Sequence, residues 1–306
     1  MSIVFPRREA EAHAFLDANP DITSIHVIWT DICGVARGKI LRRDELVPAW
    51  KDGRFMPISA LVLDITGQDY ICDLDGTPHF ADPRNALEAV VKRFQSELNM
   101  TPVGAVEVEF FLMDRASAIA GEPRAPKSLI NEHRPQHYQA YYLQDLDDFA
   151  PFFKDLYAYC EAQGLPAKTL ISEYAPGQME IVLRHRADVL KACDEGIMLK
   201  RLIKATAEKH GMAATFMAKP YAQWTGSGMH IHVSLGDEQG ENLFAADDPM
   251  QNELLLHAIG GLKAAMAESM LIFAPNGNSY RRFRRNSYAP VAASWGVNNR
   301  TVSLRI

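Results

Sequence analysis

The sequence predicts an α+β protein in two parts, a small β-rich domain over residues 1–100 and a larger α+β domain over residues 101–306. Three observations support this. Runs of β-branched and aromatic residues occur on both sides of residue 100, the clearest being "VEVEFFLMD" at 106–114. Longer segments follow with apolar residues at helical spacing, two of them stopped by glycine. A proline-rich stretch, "GTPHFADPRN", sets the first region apart.

Taken in order, "ITSIHVIWTDICGVARGKIL" reads as two strands around a turn at Cys33–Gly34, and "ISALVLDI" as another strand. Asn85 is placed to cap a helix through "ALEAVVKRFQSEL". The strand from Gly104 to Met113 comes next, then a polar loop near 114–134. "LDDFAPFFKDLYAYCEAQG" and "ADVLKACDEGIMLKRLIKATAEKHG" predict two long amphipathic helices, and a third covers about 250–272. The last residues, "NRTVSLRI", alternate as a half-buried strand, with Thr301, Ser303 and Arg305 on one face. Neither a turn nor a polar tail follows, so a C-terminally shortened chain is expected.

A net charge of −6, with no basic block interleaved with aromatics, argues against a nucleic-acid partner. The four cysteines are scattered without a CxxC pair, which suggests neither a zinc cluster nor a disulfide framework. No apolar run reaches membrane-span length, so a cytoplasmic protein with no membrane partner is expected.

The chemistry begins with Glu107 and Glu109. Residues i and i+2 of a strand share a face, so these two carboxylates project side by side from an apolar run. Like charges at that distance repel, and removing each from water costs on the order of several kcal/mol. Either both face solvent or something cationic lies against them. "SEYAPGQMEIVL" carries Glu173 and Glu180 around a Pro-Gly turn that can fold both toward one point. "TGSGMHIHVSL" sets His230 and His232 on one strand face. Each pattern alone also fits an ordinary polar surface. Together they offer four carboxylates and two imidazoles, an oxygen-rich set suited to Mg²⁺ or Mn²⁺ rather than structural zinc. Such ions commonly bridge phosphates, and guanidinium groups for the remaining phosphate charge are at hand in Arg281, Arg282, Arg284, Arg285, Arg300 and Arg305.

In order, "EVE", "EYAPGQME", "GSGMHIH", "NSYRR" and "NRTVSLRI", with "TDICGVARGK" near the start, resemble the catalytic blocks of the glutamine synthetases. The resemblance covers nearly the whole chain. It implies an N-terminal β-grasp domain and a catalytic domain on a curved antiparallel sheet with flanking helices. It also implies ring assembly, usually as a dodecamer, with each active site between neighbouring subunits. By the same resemblance, two Mg²⁺ or Mn²⁺ ions bind per site. Glu109, Glu173 and Glu180 would hold the ion nearer the amino acid, and Glu107 and His230 the ion nearer ATP. Gly226 would contact glutamate through its backbone, and Arg282 would bind the substrate carboxylate. His232, Ser234 and Arg305 would face ATP, and Arg300 would steady the transferred phosphoryl group. Asp31 would reach the amine site of a neighbouring subunit and help take a proton from ammonium. The implied reaction joins the glutamate γ-carboxylate to an amine through a γ-glutamyl phosphate.

Three departures from the family pattern matter. Tyr288 stands before Ala-Pro where glutamine synthetases proper carry a glutamate, Thr225 stands where asparagine is usual, and a later block bearing arginine and glutamate is lacking. The first two resemble the γ-glutamylpolyamine synthetase branch, in which the acceptor is putrescine or a related amine and Tyr288 would contact it. The alternatives are an ammonia-using glutamine synthetase, and a shortened, non-catalytic relative with an assembly or regulatory role.

Overall fold

The computed structural model describes residues 6–54, 56–61, 63, 82–285 and 287–306. The chain divides into two compact units, Met1–Lys92 and Arg93–Ile306. No helix among the described residues is long and apolar enough to cross a membrane.

In the first unit, α1 (Pro6–Ala18) precedes an antiparallel hairpin of β1 (Ser24–Thr30) and β2 (Ala36–Arg42), followed by α2 (Leu46–Asp52). The hairpin turn is built on Asp31, which is fully buried. Its Oδ1 accepts from the backbone N–H groups of Cys33 and Val35, each at 2.9 Å, and its Oδ2 from Arg37 Nε at 2.8 Å. Gly34 supplies the left-handed residue, φ +73°, that the turn requires. Arg43 ties the hairpin to the end of α1, donating to the carbonyls of Asn19 at 2.6 Å and Ile22 at 2.9 Å. The strand expected at "ISALVLDI" is not seen where it is described. Ile58–Leu61 form a 3₁₀ turn that Pro57 starts, its carbonyl accepting from Ala60 N–H at 3.0 Å, and residues 62, 64 and 65 lie outside the described residues.

The division between the units falls within α3 (Pro83–Leu98). This helix is capped by Asp82 and not, as expected, by Asn85. Asp82 Oδ1 accepts from Arg84 N–H at 2.9 Å, and Pro83 takes the first helical position, where no donor is needed.

The second unit is organised by β3 (Thr101–Asp114), followed by α4 (Arg115–Ile119), α5 (Leu143–Asp148), α6 (Ala150–Ala162), β4 (Ala167–Ser172), β5 (Gln178–Leu183), α7 (Val189–Lys209), β6 (Met212–Thr215) and β7 (Met229–Gly236). β3 is the central strand. β5 lies antiparallel on one side, with β4 beyond it, and β7 and β6 share the other side. Val108, Phe110 and Leu112 of β3 and Met179, Ile181 and Leu183 of β5 are buried against Phe152 and Leu156 of α6 and Leu199 and Ile203 of α7. This two-layer core fixes which strand face is apolar and leaves the opposite face for polar side chains.

Three expected elements are modified. The helix expected from Leu146 breaks at Phe149, because Pro151 cannot continue the hydrogen-bond ladder of α5. The helix expected over 250–272 becomes α8 (Glu253–Ala265), capped by Asn252, and a separate α9 (Met270–Phe273), before the short α10 (Gly277–Tyr280). The closing strand is only β9 (Leu304–Arg305), paired in parallel with β8 (Trp295–Gly296). Asn299 Oδ1 accepts from Thr301 N–H at 2.9 Å and bends the chain just before it.

Phe110 lies at the centre of the two-layer core with no exposed surface. Replacing it with alanine should cost about 3–5 kcal/mol in urea unfolding, and a loss below about 1 kcal/mol would show that the sheet–helix core is not the main source of stability.

Candidate active site

With Val108, Phe110 and Leu112 committed to the helices, alternation turns Glu107 and Glu109 to the opposite face. Cross-strand register places Glu180 opposite Glu109 and His230 opposite Glu107. Gln178, His232 and Ser234 share that face by the same alternation.

Glu107 is the hub. Its Oε1 lies 2.6 Å from His230 Nδ1 and its Oε2 3.1 Å from His232 Nε2. Ligand atoms of Glu107, Glu180 and His230 all fall within 4.8 Å of one another. The His232 ring also packs edge-on against His185, with centroids 5.6 Å apart. Glu109 is held differently, its Oε2 accepting from Gly228 N–H at 2.9 Å and from Gln178 Nε2 at 3.0 Å. The buried Gln178 amide also donates to the Gly226 carbonyl at 3.1 Å, and its own oxygen accepts from the Thr225 hydroxyl. A side chain at Gly226 would sit 2.4 Å from the Ala218 carbonyl and 2.7 Å from Arg282 Cγ, so only glycine fits there.

Arg282 runs along this glycine loop toward Glu109. Burial lowers its pKa and Glu109 works in the other direction. Its Nε is buried with no hydrogen-bond partner among the described residues. Lys219 lies close by, and burial together with Arg284 and Arg282 lowers its pKa. A positive corner thus adjoins the acidic one.

The acidic corner carries more negative charge than its own cations balance. Burial raises Glu107, but hydrogen bonds from His230 and His232 outweigh it and hold the carboxyl well below the usual range. The bond to Glu107 raises His230 in turn. Glu180 is pushed up to about 9, by burial and then by the neighbouring Glu107. Burial and then Glu109 push Glu173 up to about 7, against the pull of Arg300. Two carboxyls therefore keep protons that they would release beside a positive ion. Several carboxylate oxygens and one imidazole fit Mg²⁺ or Mn²⁺ by their donor chemistry.

Arg300 lies on the Glu173 side, with Nη1 3.5 Å from Tyr141 Oη. Arg305, on β9, acts on His230 electrostatically. Tyr288 Oη lies 3.1 Å from Tyr174 Oη. Arg281, Arg284 and Arg285 are exposed, as a plain surface reading of that segment expects. Asp31 belongs to the first unit, and both its carboxylate oxygens are hydrogen-bonded in the hairpin.

Sequence reasoning passed over Gln178, although its position two residues before Glu180 already put it on the same face. It also passed over Tyr141, for which the tyrosine-rich "HYQAYY" at 137–142 was a signal, and Tyr174, directly after Glu173.

The raised carboxyls set a stability trend. Unfolded, Glu180 ionises near its ordinary 4.5, whereas folded it keeps its proton to about 9. Its contribution is fully present below the unfolded value and is lost as pH rises toward the folded one. Chelator-treated protein should therefore lose stability between about pH 5 and pH 9. Glu180→Gln should be more stable than the parent by about 2–4 kcal/mol at pH 8, with the gap closing near pH 5. Denaturant melts at the two pH values measure this, and equal gaps would show that charge crowding at Glu180 is not what costs stability.

The description "Glutamine synthetase, catalytic domain" matches residues 80–306. Gamma-glutamylputrescine synthetase PuuA of Escherichia coli (strain K12) is 36% identical over 97% of this chain and 71% of its own length. A glutamate–isopropylamine ligase of a Pseudomonas species is 35% identical, over 77% of this chain and 51% of that protein. The glutamine synthetase of Pyrococcus abyssi (strain GE5 / Orsay) is 34% identical, over 76% and 49%. The chain thus spans 71% of the first relative and about half the length of the other two. Among solved structures, GmaS without ligand superposes with a TM-score of 0.78 at 26% identity, over 96% of this chain and 72% of that one. The chain belongs to the glutamine synthetase family.

Proposed function

We propose that this protein is an ATP-dependent ligase that joins the γ-carboxylate of glutamate to an amine, with an alkylamine such as putrescine as acceptor. The observation that carries the reading is the convergence of ligand atoms of Glu107, Glu180 and His230 within 4.8 Å, beside the side chain of Arg282, whose buried Nε has no partner among the described residues. The first is a place for a divalent cation and the second a place for a carboxylate. The names of the relatives support the choice of reaction, since two of them act on glutamate and an alkylamine or diamine.

In this reading the glutamate γ-carboxylate attacks the terminal phosphorus of ATP, ADP leaves, and a γ-glutamyl phosphate results. A neutral amine then attacks the acyl carbon and orthophosphate departs. Bound Mg²⁺ or Mn²⁺ would neutralise phosphate oxygens. Glu109, Glu173 and Glu180 would hold the ion nearer glutamate and Glu107 and His230 the one nearer ATP, with Glu180 within reach of both groups.

Arg282 would fix the substrate carboxylate, and the Gln178 amide would hold the Gly226 loop in the shape that receives it. His232, Ser234 and Arg305 would line the nucleotide, and Arg300 would steady the phosphoryl group. Asp31 would serve the amine site of a neighbouring subunit in a ring of twelve. Residues 1–100 would form the β-grasp domain of a cytoplasmic enzyme.

Phosphate release from ATP and glutamate, measured with Mg²⁺ or Mn²⁺ and either putrescine or ammonium, tests the reading. Release that depends on an amine, with putrescine preferred, is expected. Release that neither amine stimulates would overturn it. Tyr288→Glu should shift preference toward ammonium by about tenfold or more, since a carboxylate holds ammonium where a phenol does not. No gain with ammonium would remove Tyr288 from the choice of amine.

A further inference from the structure

We infer that Tyr174, in line with Tyr288 and Tyr141, forms the surface that takes the carbon chain of the acceptor amine and so selects alkylamines over ammonium. This rests on the ligase reading and adds to it the residues that recognise the acceptor.

Three separate segments bring these side chains together. Tyr174 directly follows Glu173 in the acidic corner, and Glu173 acts on it electrostatically. Residues 139–141 run alongside, with Gln139 N–H donating to the Tyr174 carbonyl at 3.1 Å and Tyr141 N–H to the Ser172 carbonyl at 2.9 Å. Tyr288 arrives from the segment that follows Arg282. Its ring centroid lies 5.4 Å from that of Tyr174, and the two hydroxyls are 3.1 Å apart. Tyr141 acts on Tyr174 electrostatically, and its hydroxyl lies 3.5 Å from Arg300 Nη1.

The chemistry of this row suits a chain and not a bare ion. The three tyrosines offer ring faces and hydroxyls. Methylene groups gain by covering the rings, and a distal ammonium gains from their π faces. Ammonium has one nitrogen, which the reaction itself needs, so it has neither methylenes to cover the rings nor a second charge to set over them. Tyr141 and Tyr288 are each 57% exposed, which leaves those rings open to a ligand. Tyr174 is the keystone because it touches Tyr288 and is joined in sequence to Glu173.

The test compares formation of the γ-glutamyl product from ATP, glutamate and either putrescine or ammonium, using the full chain and its Tyr174→Phe, Tyr174→Ala and Tyr141→Ala variants. Melting curves establish that each variant folds. Tyr174→Ala should raise the KM for putrescine by about 5–30-fold, while the KM values for ATP and glutamate move less than about twofold. Tyr174→Phe, which keeps the ring and loses the bond to Tyr288, should raise it by about 2–5-fold. The putrescine-to-ammonium ratio of kcat/KM should fall in both. A folded Tyr174→Ala whose ratio stays within about twofold of the parent overturns the inference alone. If Tyr174→Ala does not fold, unchanged ratios in Tyr174→Phe and Tyr141→Ala overturn it equally. A parent chain that forms no γ-glutamyl product from either amine brings down the ligase reading, and this inference with it.

Discussion

The structure turns on one electrostatic conflict, the crowding of carboxylates that strand pairing imposes. β3 cannot rotate to relieve Glu107 and Glu109, because its alternate residues are locked into the core by Phe110 and Leu112. The register of β5 then adds Glu180 to the same face. Side chains nearby answer that crowding. His230 and His232 converge on Glu107, Gln178 and Gly228 N–H hold Glu109, and Glu173 and Glu180 keep protons well above the usual carboxylate range. Such strain is what a site prepared for cations looks like when only side chains balance it.

The polar face divides into regions of different rigidity. Glu107, Glu109, Glu180, His230 and His232 stand on paired strands, whose backbone is fixed by the ladder. The guanidinium of Arg282 and the tyrosine hydroxyls come from loops that strands and glycines position. In the proposed reading this assigns the reacting phosphate to the stiff part and the choice of amine to the adaptable part. Chemistry shared across a family and an acceptor that varies between relatives would fit that division.

What the sequence made legible was mostly local. Period-two alternation foretold the shared faces of Glu107 with Glu109 and of His230 with His232, and the Cys33–Gly34 turn lies where its residues put it. Registers between distant strands could not be read this way. Nothing local states that Glu180 stands opposite Glu109, because the core on the far side sets that pairing. Errors arose where two residues compete for one task. Asp82 and Asn85 can both cap a helix, and Pro83 decides for Asp82. "NRTVSLRI" alternates like a strand, yet the Asn299 side chain bends the backbone first. Asp31 reads as an available acid, and only the folded turn reveals how fully it is engaged.

A single primary amide, that of Gln178, grips both Glu109 and the carbonyl of Gly226. If Glu109 holds a cation and the Gly226 loop receives an amino acid, neither can shift without pulling on the other through that amide. Whatever affinity the ion lends the amino acid must then be returned in equal measure, because linkage between two binding events is reciprocal. Half-filled states would be disfavoured as a result, and the two ligands would tend to come and go together.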